Sequence, residues 1–73
     1  SDALDSKSRL QELLQRDGRM PVYEFISMEG PAHAPKFSYR VLVDGVSRGE
    51  GSGNSKQAAQ QAAAANALNG MGV

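Results

Sequence analysis

The chain has 73 residues, with eight Lys and Arg against eight Asp and Glu, and no cysteine. Its zero net charge excludes bulk electrostatic attraction to nucleic acid, so any such binding must come from local placement of charge. The missing cysteines exclude a disulfide framework and a thiolate metal site, and no apolar run approaches the roughly 20 residues of a membrane span. This length fits one domain with one small core, which buries only about 60% of the unfolded chain's surface. No signal-peptide pattern is visible at the start, and the expected location is intracellular, the cytoplasm before the nucleus.

Ser1 to Leu4 read as a flexible leader. Asp5 or Ser6 can cap a first helix that continues through Arg16 and stops at Gly18. Leu10, Leu13 and Leu14 supply its buried stripe. Ser8, Gln11, Glu12 and Gln15 then share a solvent-facing surface. Val22 to Met28 is rich in aromatic and β-branched residues and reads as a strand. Its alternation puts Tyr23 and Phe25 on one face and Val22, Ile26 and Met28 on the other. Gly30-Pro31 breaks it. The loop from Pro31 to Pro35 carries the only histidine, His33.

Lys36 to Val43 is the clearest strand, alternating Phe37, Tyr39, Val41 and Val43 with Ser38, Arg40 and Leu42. Asp44-Gly45 is a two-residue hairpin turn. A short third strand should run from Val46 towards Gly49 or Gly51. A second helix follows, capped by Asn54 or Ser55 and holding seven alanines before Leu68. Alanine has the highest helix propensity, and its small side chain lets a helix lie close to its neighbour. Ala58, Ala62, Ala65 and Leu68 form the expected apolar stripe. Gly70 to Val73 reads as a flexible tail, leaving residues 5–69 as the domain.

The order predicts an α+β fold: an α-β-β-β-α two-layer domain, with a three-stranded antiparallel sheet and both helices on one face. The expected core is Leu10, Leu13, Leu14, Tyr23, Phe37, Tyr39, Val41, Val43, Ala58, Ala62, Ala65 and Leu68.

A catalytic site is hard to assemble from this inventory. One His, no Cys and singly scattered carboxylates supply neither a nucleophile with its base nor a magnesium cluster. The expectation is a binding module that is not itself an enzyme, with no metal, cofactor, membrane or small-molecule substrate. The start of the second helix offers unpaired N–H groups, the positive end of the dipole and Lys56, which suit an anion such as phosphate.

Three stretches carry a resemblance. They are Leu10-Gln11-Glu12 with Gln15, then Pro21-Val22-Tyr23; Gly30-Pro31-Ala32-His33-Ala34-Pro35-Lys36-Phe37; and Gly51-Ser52-Gly53-Asn54-Ser55-Lys56 followed by Ala62-Ala63 and Ala67-Leu68. In that order they resemble the double-stranded RNA-binding domain family. The wording Lys7-Ser8-Arg9-Leu10-Gln11-Glu12, Gln15-Arg16-Asp17-Gly18 and Gly30-Pro31-Ala32-His33 looks most like the C-terminal module of a bacterial-type ribonuclease III. The resemblance implies that Ser8, Gln11 and Glu12 enter one minor groove of an A-form duplex. Pro31, Ala32 and His33 would reach the next. Asn54, Ser55, Lys56, Gln57 and Gln60 would hold phosphates across the intervening major groove. The family's KKxAK pattern reads Lys56-Gln57-Ala58-Ala59-Gln60 here. Glutamine brings no charge and releases no counterion. The rival expectation is a protein-binding or homodimerising module of the same fold with weak RNA binding.

Overall fold

Leu10 and Leu14, one helical turn apart, are both buried on α1 (Ser6–Gln15). The computed structural model describes residues 5–73, so the expected leader, residues 1–4, lies outside them. Asp5 takes the N-cap position, but its side chain makes no capping bond. At the other end Gly18 adopts φ 69°. The Arg19 N–H donates to the Leu14 carbonyl and the Gly18 N–H to that of Gln15, each at 3.0 Å. This pair of bonds closes the helix in the Schellman manner.

The sheet is a meander in the order β1 (Val22–Glu29), β2 (Lys36–Val43) and β3 (Val46–Gly53), antiparallel throughout. Asp44 and Gly45 both have positive φ, 54° and 79°, the mark of a type I′ turn that follows the strand twist. β3 extends to Gly53, beyond the expected stop. It is interrupted at Arg48, which falls between the pairs Val41–Gly49 and Leu42–Ser47. β1 carries a similar irregularity at Ile26, between Phe25–Tyr39 and Ser27–Ser38. One extra residue reverses the alternation. Met28 therefore lies opposite Phe37 and shares the helix-side face with Phe25, contrary to the simple period-two expectation.

α2 (Lys56–Gly70) crosses β3 and β2 and packs beside α1. Val41 and Val43 meet Leu10 and Leu14 of α1 and Ala63, Ala64, Ala67 and Leu68 of α2 in one core, so both helices cover the same face. Leu13 and Tyr23 pack at its margin. The buried alanines include Ala59, Ala63, Ala64 and Ala67, whereas Ala65 is exposed and Ala58 and Ala62 are half-buried. The expected stripe was therefore rotated. Alanines occur all round this helix, so their spacing selects no face. The glycines of β3 select it. A Cβ on Gly49, Gly51 or Gly53 would collide with α2 backbone or alanine methyl groups. Phe37 is only half-buried, because it lies opposite Gly53 at the end of the sheet.

The expected tail, residues 70–73, begins inside α2. Met71 packs at the core margin, and the Val73 N–H donates to the Leu68 carbonyl at 3.2 Å.

Candidate nucleic-acid interface

Ser8, Gln11 and Glu12 are all exposed on α1, with Gln15 continuing the same surface. Burial of Leu10 and Leu14 fixes the roll of the helix, so this polar face must point to solvent. Its hydroxyl, amide and carboxylate supply both donors and acceptors.

The loop between β1 and β2 is a tight turn. The Ala34 N–H donates to the Pro31 carbonyl at 2.9 Å, which leaves Ala32 and His33 at the tip. Pro31, Ala32 and His33 are all exposed. Gly30 enters the turn at φ 88°, and a Cβ there would lie 2.9 Å from the Ala34 carbonyl oxygen. Only glycine fits both the backbone and the space.

α2 begins at a well-formed cap. The Ser55 hydroxyl accepts from the Ala58 N–H at 3.1 Å, which assigns the cap to Ser55 rather than Asn54. Asn54, Ser55, Lys56 and Gln57 are exposed, while Gln60 is half-buried. Gly53, which precedes this cap, pairs with Phe37, which follows the His33 loop. The loop and the start of α2 therefore share one end of the sheet.

Lys7 joins α1 to that same region. Its ammonium donates to Oε1 of Gln60 at 2.6 Å and of Gln57 at 3.1 Å. Its backbone N–H donates to Oε1 of Gln61 at 3.0 Å. The ammonium also lies 5.0 Å from the centroid of the Tyr23 ring, a cation–π arrangement. Burial pushes the Tyr23 hydroxyl up to about 12, and it has no hydrogen-bond partner among the described residues.

Two ion pairs form among the described residues. Arg19 pairs with Asp44 at 3.4 Å beside the β2–β3 turn, and Arg40 pairs with Glu24 at 3.6 Å on the open sheet face. The carboxylates are exposed and the arginines about one-third exposed, so solvent screens both pairs and each contributes at most about 1 kcal/mol. Lys7 and Lys56 have no carboxylate partner among the described residues. No group of three or more His, Asp or Glu among those residues could hold a metal ion.

The family model of the double-stranded RNA binding motif matches residues 6–71. The chain belongs to that family. The domain is 52% identical over 66 residues to Ribonuclease 3 of Clostridium beijerinckii. It is 51% identical over 69 residues to Ribonuclease 3 of Bacillus cereus strain G9842. These matches cover 89% and 93% of this chain but only 28% of each relative, so the chain spans about a quarter of their length. Among solved structures, Arabidopsis HYL1, described for its implications in miRNA processing, superposes with a TM-score of 0.80 at 39% identity. That match covers 94% of this chain and 99% of the other. Dicer from Pichia stipitis shares the fold at a TM-score of 0.76 and 22% identity, over 94% of this chain and 34% of its own.

In this double-stranded RNA binding motif domain, the geometry joins α1 to the start of α2 and sets the His33 loop at that same sheet end. Lys7 is the residue that sequence reasoning passed over. It lies one turn before Gln11 and adjoins Ser8, a spacing that gave a weak signal. Its partners Gln57, Gln60 and Gln61 are some fifty residues away, beyond the reach of any local pattern.

Proposed function

We propose that this domain binds double-stranded RNA by the shape of the duplex, largely independent of sequence. The observation that carries the reading is the family match along residues 6–71, which takes in all three candidate surfaces. A-form RNA hides its bases in a deep major groove and presents 2′-hydroxyls in a shallow minor groove. Ser8, Gln11 and Glu12 serve one minor groove with mixed donors and acceptors. Pro31, Ala32 and His33, at the tip of a rigid turn, serve the next. Asn54, Ser55, Lys56, Gln57 and Gln60 face the phosphates between them, where helix N-terminal N–H groups favour anions. Groove spacing then selects RNA over DNA. In this reading the domain is the RNA-targeting module of a larger RNA-processing protein, consistent with its likeness to one part of Ribonuclease 3. The deciding experiment is titration with duplex RNA, duplex DNA and single strands at two salt concentrations. Tight binding confined to duplex RNA supports the reading; equal affinity for single strands overturns it.

A second reading has its own observation. Phe25 and Met28 are 52% and 58% exposed on the helix-side face of β1. Exposed apolar residues of this kind favour protein docking or homodimerisation. Sedimentation of the free domain at increasing concentration tests the homodimer form, and a monomer throughout counts against it.

A further inference from the structure

Lys7 supplies a charge at a place where α2 lacks one. Its ammonium contacts Oε1 of Gln57 at 3.1 Å, Oε1 of Gln60 at 2.6 Å and the face of the Tyr23 ring. All three partners are neutral, and among the described residues no carboxylate cancels the charge. An ammonium has three N–H donors, and the glutamines engage two of them. Each glutamine accepts through its carbonyl and keeps its own amide N–H groups available. The backbone bond from Lys7 to Gln61 fixes the root of the side chain on α2 as well. A cation and several amide donors thus gather on the first turns of α2. The unpaired N–H groups and dipole of that terminus already favour negative charge.

We propose that Lys7, reaching from α1 and clamped by Gln57 and Gln60, is a phosphate-binding cation of this domain. It restores in space the charge that positions 57 and 60 lack in sequence. The ligand is a backbone phosphodiester of duplex RNA, so the proposal rests on the reading above. A clamped lysine also has less side-chain freedom left to lose on binding than one free in solvent.

Two measurements test it. The first is the salt dependence of duplex RNA affinity for the wild-type domain, Lys7→Met and Lys7→Arg. Each phosphate neutralised contributes about 0.9 to the slope of log affinity against log salt for a B-form duplex, taken here as the scale for RNA. Lys7→Met should lower the slope by up to about that amount, whereas Lys7→Arg should keep it. A lysine that only held the helices together would weaken binding without changing the slope. The second is acetylation footprinting of the wild-type amines with and without duplex RNA, which requires no variant to fold. Protection of Lys7 by the duplex supports the proposal. An unchanged slope in folded Lys7→Met overturns it, as does a Lys7 amine whose reactivity ignores the duplex. A wild-type domain that binds no duplex RNA sinks the functional reading itself. One that binds while Lys7 stays unprotected sinks only the clamp.

Discussion

Gly49 on β3 and Ala67 on α2 stand backbone to backbone. A Cβ built on Gly49 would lie 2.6 Å from the Ala67 nitrogen and equally close to the Ala63 carbonyl oxygen. Neither neighbour is a side chain that can swing away. Gly49→Ala should therefore destabilise the domain by about 2 kcal/mol, in the range of overpacked cores. Gly70→Ala is the matched control, since nothing lies within 4 Å of a Cβ there. It should be neutral or stabilising by up to about 0.5 kcal/mol, as for a glycine replaced near a helix end. Chemical denaturation of both variants checks the pair. Equal stabilities would mean that α2 does not lie this close to β3.

Leu10→Ala and Phe37→Ala should differ. Leu10 is fully buried in the shared core, whereas Phe37 is only half-buried at the end of the sheet. Leu10→Ala should cost about 3 kcal/mol, and Phe37→Ala clearly less than the 3 to 5 kcal/mol expected of a fully buried aromatic. Thermal melts of the two variants, run together, give the order.

The Tyr23 hydroxyl makes folding sensitive to base. Burial raises it from 10.0 to about 12, so the folded state holds this proton more tightly than the unfolded one. Its contribution is fully present below pH 10 and is lost as pH rises towards about 12. Tyr23→Phe keeps the ring under Lys7 and removes an unpartnered hydroxyl. The variant should be at least as stable at neutral pH, with its alkaline unfolding midpoint shifted upward. A base titration followed by circular dichroism measures that midpoint.

His33→Ala separates binding from folding. The side chain is exposed at the tip of the Pro31–Ala34 turn, so its loss should change stability by no more than about 0.5 kcal/mol. Duplex RNA affinity should fall. Unchanged affinity in the folded variant would remove this loop from the interface.

Gln57→Lys with Gln60→Lys tests the clamp from the other side. Both side chains accept from the Lys7 ammonium, so two lysines there would confront it with like charge. The double variant should be less stable at low salt. Its RNA-binding slope should steepen by less than the roughly 1.8 units of two independent phosphate contacts. Salt-dependent melts and titrations of the same samples check both halves.

The sequence alone determined the element order, the Asp44-Gly45 hairpin, the exposed polar face of α1 and the exposed loop around His33. Each follows from local rules: residue propensity, period, and the backbone freedom of glycine at a turn. It also carried the family resemblance, because those three stretches lie in order along the chain. Tertiary structure alone decided which side of α2 is buried. Alanines at 58, 59, 62, 63, 64, 65 and 67 look alike to any periodicity, and only the glycines of β3 tell Ala63 from Ala65. It decided the faces of β1 as well, because the irregularity at Ile26 arises from pairing with β2 and reverses every later residue. It placed Lys7 among Gln57, Gln60 and Tyr23, since contacts between residues so far apart in sequence form only when α1 and α2 pack on one sheet.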